Sequence, residues 1–312
     1  MTPLASKDKH VVVLMGGHTR ERQVSLDSGT ACAKGLEAAG YRVSTLDPSG
    51  DPAVWIGKLL TLNPDVVFNA LHGPLGEDGK IQGLLETLRL PYTHSGTLAS
   101  ALAMDKRRSK PLFAKAGLHV ATDCEVTLES LQHGDPLPRP YVVKPIDEGS
   151  SLGVLIVMPS TDLAACLPQL DGYRRLMAEA FIPGRELTVS CFQGLAKVVT
   201  ELAPDSGLYD YEAKYVDGKT EHILPAALPA DIYAQCLSDT QKAYAALNCR
   251  GVARADFRYN PEAAAGEQLV ILEVNTQPGM TGLSLTPEQA AHLGQSFADL
   301  VHTMVEDASC DR

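Results

Sequence analysis

Aromatic residues make up only 5% of this 312-residue chain, with a single tryptophan. That scarcity argues against a stacking platform for single-stranded nucleic acid. Positive charge is also short: 27 Lys and Arg against 38 Asp and Glu leave a formal charge of −11. Nonspecific binding to phosphate backbones is therefore not expected. Any phosphate ligand must be held by a few placed Lys or Arg, by backbone N–H groups or by a metal. No apolar run reaches the roughly 18–20 residues of a membrane span. The polar start MTPLASKDKH leads straight into a strand and lacks the shape of a signal peptide. Paired cysteines are missing too. Cys32, Cys124, Cys166, Cys191, Cys236, Cys249 and Cys310 form no C-x-x-C, and their number is odd. Scattered buried thiols in a reducing compartment are the expectation. These gaps predict a cytoplasmic protein without a nucleic-acid or membrane partner.

What is present begins with alternation. HVVVLMGG (10–17) reads as a buried strand, and Ser25 as the N-cap of a helix ending at Gly40. A second strand YRVSTLDP, a helix DPAVWIGKLLTL and a third strand DVVFNALHG (65–73) follow. Strands alternating with helices predict an α/β lobe with a parallel sheet covered on both faces. Its functional loops should follow the strand ends, and two of these contain Glu21 and His72. From about residue 98 the texture changes. A helix pair broken at Pro111 is expected first. Then YVVKPIDEGSSLGVLIV (141–157) reads as a hairpin flap, and LMAEAFIPGRELTVSCFQG as strand–turn–strand. Short strands dominate 186–275, interrupted by a helix over 231–249. The length predicts two or three lobes sharing interfaces; with the three lobes that the resemblance given below implies, the expected division is 1–97, 98–182 and 183–312, an α/β lobe followed by two α+β lobes.

The late segments carry the chemistry. VARADFRYN puts Arg254 and Asp256 two apart, and LVILEVN does the same for Glu273 and Asn275. On a strand, such residues share a face. If the two strands pair, Asp256, Glu273 and Asn275 converge as hard oxygen ligands suited to Mg²⁺. Arg254 beside them could neutralise developing negative charge. Each acid alone reads more plainly as an ion pair on a solvated face. However, an apolar run such as LVILEVN rarely carries a carboxylate without a partner. In the flap, Lys144 precedes EGSSLG, whose small residues let backbone N–H groups approach phosphate oxygens. With Lys106 and the distal acids this reads as a nucleotide site, although no Walker A motif exists. Glu179 and Glu186 could accept from an adenine amino group and from ribose hydroxyls. YDYEAKY (209–215) reads as a surface loop ending in Lys214 and Tyr215.

These segments carry a resemblance. GGHTRERQVS, ALHGPLGEDGKIQG, SALAMDKRRSK, VVKPIDEGSSLGV, GRELTV, YDYEAKY, ARADF and LEVNTQPGMTGLSL are similar, in order and over nearly the whole chain, to D-alanine–D-alanine ligases of the ATP-grasp superfamily. The resemblance implies an ATP-grasp fold with an N-terminal parallel α/β lobe, a central lobe and a C-terminal lobe. It implies ATP as co-substrate, two Mg²⁺ ions (with Mn²⁺ as a substitute), D-alanine as substrate, a homodimer, and a place in peptidoglycan precursor synthesis. Lys106, Lys144, Ser151 and Lys214 would hold ATP phosphates, and Glu179 and Glu186 the adenosine. The backbone near Phe181 and Ile182 would line the adenine pocket. Glu21 would pair with the ammonium of the first D-alanine in a set with Ser150 and Tyr215, and His72 would lie near the substrates. Arg254 and the N–H of Gly279 would form an oxyanion hole. Ser284 and Leu285 would receive the second D-alanine's carboxylate. Asp256, Glu273 and Asn275 would be the metal ligands. A Tyr at position 215 favours an amine over a hydroxy-acid acceptor such as D-lactate. Gln277 stands where Ser is the more usual residue. A nucleotide-binding regulator on the same fold would have lost a metal ligand or Arg254, and here all are present.

Overall fold

A computed structural model describes residues 8–149, 152–204 and 218–310. The first lobe holds β1 (His10–Leu14), α1 (Arg22–Ala38), β2 (Arg42–Leu46), α2 (Pro52–Leu62), β3 (Val66–Asn69) and α3 (Lys80–Leu88). Its three strands are parallel in the order β2-β1-β3. Strand β1 is buried along its length, and its side chains alternate between two cores. Val11 and Val13 face α1, and Val12 and Leu14 face Trp55, Leu59, Ile81 and Leu85 of α2 and α3. The continuous apolar run is therefore that of a strand covered on both faces, as expected. Ser25 is not an N-cap. The helix starts earlier, behind Glu21, and the buried Ser25 hydroxyl accepts from Gly16 N–H at 2.8 Å and donates to the Ala70 carbonyl at 2.8 Å. It ties the ends of β1 and β3 together at the point where strand order reverses, the usual place for a ligand crevice.

Two helices follow, α4 (Thr97–Met104) and α5 (Lys106–Lys115). The break falls at Asp105 rather than at Pro111, which lies inside α5. Asp105 leaves the helical region and its carboxylate caps Arg108 N–H at 3.1 Å. The freed N–H of Lys106 bonds instead to the Ile146 carbonyl at 3.1 Å. The central sheet comprises β4 (Asp123–Val126), then, after α6 (Leu128–Gln132), β5 (Tyr141–Pro145) and β6 (Leu155–Val157). After α7 (Leu163–Cys166) comes β7 (Leu176–Ala180). The order is β4-β7-β5-β6, and β5 and β6 form the expected hairpin.

The third sheet is antiparallel. It contains β8 (Arg185–Phe192), β9 (Leu195–Ala196), β10 (Thr200–Pro204), β11 (Thr220–Ile223), β12 (Val252–Tyr259) and β13 (Leu269–Asn275), in the order β11-β10-β8-β12-β13, with β9 beside β8. Residues 176–192 are not a hairpin. Strand β7 belongs to the central sheet and β8 to the third, so Phe181–Gly184 is a crossover between sheets. One face of the third sheet is apolar and packs on α8 (Ala230–Ala246) and on Ala103 and Phe113 of the α4–α5 pair. The other face is polar and looks toward the central sheet. After it, α9 (Leu285–His292) and α10 (Phe297–Glu306) return to the first lobe, where Leu300, Val301, Met304 and Val305 join the core under α1. Among the described residues no helix is long and apolar enough to cross a membrane.

Candidate active site

Strand register builds the polar face. Asp256 stands opposite Glu273 and Arg254 opposite Asn275 across β12 and β13. On the other side of β12, Thr188 stands opposite Asp256 and Glu186 opposite Arg258. The four residues read from i, i+2 spacing therefore do share one face. A bulge between Asp256 and Phe257 shifts the register, so Ile271 pairs with Phe257 and Leu272 is left without an opposite number. Bulges re-aim side chains beside active sites. Here the consequence is that Leu272 and Glu273, consecutive in sequence, both line the same cleft.

Arg254 forks onto Asp256, Nε to Oδ1 at 2.9 Å and one terminal nitrogen to Oδ2 at 2.8 Å. The Thr188 hydroxyl donates to Asp256 Oδ1 at 2.6 Å. The Asn275 side-chain oxygen accepts from Gln277 N–H at 2.8 Å. Gln277 itself is buried and clasps Asn69 at the end of β3, its amide donating to the Asn69 carbonyl and its Oε1 accepting from Asn69 Nδ2 at 3.2 Å. The longer amide in place of the expected serine thus joins the third sheet to the first lobe.

Lys106 and Lys144 approach this face from the central lobe. Lys106 Nζ donates to the Glu148 carbonyl at 2.8 Å and lies 3.1 Å from Glu273 Oε2. Lys144 Nζ donates to Glu179 Oε2 at 2.6 Å, and the other Glu179 oxygen accepts from Lys110. Burial alone would push the Glu179 carboxyl up, but the ammonium groups of Lys144 and Lys110 hold it below the usual carboxylate range. Burial likewise disfavours the Lys144 ammonium, and the Glu179 charge more than offsets it, so that group sits above its usual value. Glu186 pairs with Arg258 at 3.1 Å. Arg258 also donates to the Ile182 carbonyl at 3.1 Å, and Phe181 N–H to the Pro140 carbonyl at 3.2 Å. These bonds fix the crossover that walls one cleft.

Two clefts meet here. The first, between central and third sheets, is lined by Lys144, Glu179, Phe181, Ile182, Glu186 and Asp256 among others. The second lies toward the first lobe, with Glu21, His72, Arg254, Asn275, Gly279, Ser284 and Leu285 on its walls. Lys106, Glu148, Gly149 and Glu273 line both. Glu21 is 4% exposed at the start of α1. A Cβ on Gly73 would stand 2.3 Å from its Oε2, and one on Gly149 would stand 3.1 Å from its Oε1. The carboxylate therefore sits between the β3 loop and the flap. His72 is buried, its Nδ1 3.0 Å from Glu77 Oε1 and its Nε2 3.1 Å from Ser28 Oγ. Ser28 Oγ also accepts from Met280 N–H at 3.2 Å. Ser284 and Leu285 open α9, so the second cleft ends on a helix N-terminus, a place suited to a carboxylate. Ser284 Oγ accepts from Thr281 N–H at 2.9 Å. Ser150, Ser151, Lys214 and Tyr215 lie outside the described residues.

Sequence reasoning missed Thr188, Lys110, Asp123, Glu77 and Arg258. Lys110 alone left a signal, since it follows Lys106 by four residues and so shares its helix face. Glu77 meets His72 five residues away through the fold of the loop after β3. Asp123 meets Lys110 and Arg107 through the packing of α5. The partners of Thr188 and Arg258 lie far off in sequence and become neighbours through strand pairing.

Residues 116–306 match the family model described as D-ala D-ala ligase C-terminus, and residues 54–95 the corresponding N-terminus. A protein of Cereibacter sphaeroides named D-alanine–D-alanine ligase is 53% identical over 306 residues, covering 97% of this chain and 96% of its own. One from Parvibaculum lavamentivorans with the same name is 51% identical over 312 residues, 98% of this chain and 100% of its own. The crystal structure of the Bacillus anthracis D-alanine–D-alanine ligase complexed with ATP superposes with a TM-score of 0.79 at 31% identity, covering 96% of each chain. The D-Ala:D-Ser ligase VanG of Enterococcus faecalis gives 0.76 at 25%, covering 96% of this chain and 98% of that one. Likeness over nearly the full length, in sequence and in fold, makes this chain a member of the D-alanine–D-alanine ligase family.

Proposed function

We infer that this chain joins two D-alanines into D-alanyl-D-alanine at the expense of ATP, for peptidoglycan precursor synthesis. The observation that carries the reading is the junction of the two clefts. One cleft against the central sheet and one against the first lobe share Lys106 and Glu273, so a γ-phosphate held in the first and a carboxylate held in the second can meet there.

Each step then has its residues. Lys106 and Lys144 neutralise nucleotide phosphates, with the crossover at Phe181 and Ile182 against the base and Glu179 and Glu186 beside the nucleoside. Glu21 holds the ammonium of the first D-alanine, and His72 braces the same wall through Glu77 and Ser28. A carboxylate oxygen of that D-alanine attacks the γ-phosphorus, ADP leaves, and an acyl phosphate remains. The amine of the second D-alanine, its carboxylate at Ser284 and Leu285, attacks the acyl carbon. Arg254 and Gly279 N–H face the oxyanion that develops, where preorganised donors accelerate most. Inorganic phosphate then leaves. Ser150, Ser151, Lys214 and Tyr215 enter this scheme on the family motif alone.

The donor set also fits divalent metal. Asp256 and Glu273 face each other on adjacent strands with Asn275 next along the same face, and such hard oxygens suit Mg²⁺, with Mn²⁺ as substitute. When bound there, two such ions would neutralise phosphate charge during transfer. The Arg254 and Lys106 contacts to those carboxylates supply positive charge in the same place. The family likeness further supports a homodimer, which the molar mass in solution tests, and a cytoplasmic location.

The deciding experiment incubates pure protein with ATP, Mg²⁺ and K⁺, with D-alanine, D-alanine plus D-lactate, or D-alanine plus D-serine. ADP release that depends on D-alanine, with the D-alanyl-D-alanine amide as main product, is expected. Predominance of the ester or of the serine dipeptide overturns the acceptor assignment, and silence in all arms favours a nucleotide-binding regulator.

A further inference from the structure

Behind Glu179, away from the cleft, stands a charge that the reaction scheme leaves without a task. Lys110 is 1% exposed, which a lysine tolerates only when its charge is paired. Its Nζ touches Glu179 Oε1 on one side and lies 2.9 Å from Asp123 Oδ2 on the other. Arg107 Nε lies 3.1 Å from the other Asp123 oxygen. Asp123 and Glu179 are cross-strand neighbours on β4 and β7, and α5 carries Lys110 across them. The result is a row of alternating charges, Arg107, Asp123, Lys110, Glu179 and Lys144, running from the outer edge of the sheet to the cleft. Only its last two members line the cleft.

Their division of labour follows from position. Glu179 shares two cations, yet Lys144 stands at the cleft wall, where a polyphosphate competes for it. When Lys144 turns to phosphate, Glu179 loses one counter-charge while buried. Lys110 cannot follow, because Asp123 anchors it from behind and it is buried off the wall of this cleft. We propose that Lys110 is a positioning residue for nucleotide binding: it holds the Glu179 carboxylate ionised and in place, so that Lys144 can be released to the phosphates. The same helix gives the arrangement economy. Lys106 and Lys110 are one turn apart, so α5 delivers one ammonium to the catalytic face and the other to the support of the nucleotide wall.

The inference rests on the reading of this cleft as the ATP site, and the test separates the two. D-Alanine-dependent ADP release by the wild-type protein checks that reading first. Binding of a non-hydrolysable ATP analogue, read by calorimetry, and steady-state kinetics are then measured for Lys110→Met, Lys110→Arg, Glu179→Gln and the double variant Lys110→Met/Glu179→Gln. The expected result for Lys110→Met is an analogue Kd and ATP KM raised about 10-fold or more, with kcat and the D-alanine KM changed by no more than about 3-fold. Lys110→Arg keeps the charge and is expected to recover most of the affinity. Because Lys110 acts through Glu179, adding Lys110→Met to Glu179→Gln is expected to change ATP affinity by less than about 2-fold. Losses that multiply in the double variant, or a Lys110→Met protein that loses D-alanine and ATP affinity alike, overturn the proposal. If Lys110→Met does not fold alone, the proposal requires the double variant to fold and to match Glu179→Gln. Failure of both to fold overturns it.

Discussion

Arg254 is held by the bidentate contact to Asp256, with Thr188 completing the set from β8. Its guanidinium is thus oriented before any substrate arrives, and preorganised donors of this kind stabilise developing charge without reorganising. Arg254→Ala is expected to lower kcat by about 10²–10³-fold, the scale of losing one oxyanion donor, while ATP KM changes by only a few-fold. Equal losses in the two parameters, measured by steady-state kinetics, would assign Arg254 to ground-state binding instead. How far the site was legible is clearest at this scale. Asp256, Glu273 and Asn275 could be placed on one face because strand periodicity is local. Lys110 went unread because Asp123 and Glu179, the acids that give a buried lysine its meaning, lie 13 and 69 residues away.

Among the elements, the loop after β3 constrains the site most tightly. Gly73 has φ +71°, a region that L side chains rarely adopt, and the space where its Cβ would go is filled by the Glu21 carboxylate. Gly73→Ala therefore has two costs, strain in the loop and displacement of Glu21. It is expected to raise the D-alanine KM by about 10-fold or more and to lower Tm by a few degrees. A control at Gly117, also at positive φ but with no atom within 4 Å of the added Cβ, should lower Tm while leaving the D-alanine KM unchanged. Equal KM effects at the two sites would contradict the assignment of Glu21. The β5–β6 hairpin followed from the sequence pattern, whereas the pairing of β12 with β13 entered the sequence reading as a condition that the register fulfils. The crossover at 181–184 did not, because a short Pro-Gly segment between two strands has the composition of a hairpin turn whichever sheet the second strand joins. Sheet membership is decided by packing, as is the role of Ser25, whose capping chemistry is used on strand ends instead.

On the scale of the molecule, the parts built on the three sheets are joined by polar seams as well as by apolar packing. Arg250 donates to the carbonyls of Tyr92 at 3.1 Å and Ser309 at 2.7 Å and lies over the Tyr92 ring at 4.5 Å. Beside it His94 is buried edge-on to Phe68, with ring centroids 5.8 Å apart. Burial first, and then the neighbouring His72 and the Arg250 guanidinium, push the His94 pKa down to about 3 from its ordinary 6.5. The sign follows from linkage. The unfolded chain gains a proton near pH 6.5 and the folded one does not, so this contribution to stability is present above pH 6.5 and is lost as the pH falls toward 3. Urea midpoints across that range are expected to fall less steeply for His94→Gln than for wild type. Parallel profiles would show that the imidazole is not kept neutral at the seam. The α/β order of the first lobe was open to the sequence, since alternation of strand and helix is a local pattern. The return of α10 to pack under α1 was not, because an amphipathic helix records that it has an apolar face and not which core receives it.

Glu273 joins the two clefts, and it offers the sharpest check on where the chemistry lies. Glu273→Gln keeps the shape and removes the charge that faces Lys106 and Asp256. Turnover is measured as D-alanine-dependent ADP release at saturating ATP and Mg²⁺, on protein whose Tm shows it folded. A fall in kcat of about 10²-fold or more is expected from the loss of this carboxylate at the phosphoryl-transfer point. A kcat within about 2-fold of wild type would contradict the placement of the reaction at the junction of the clefts.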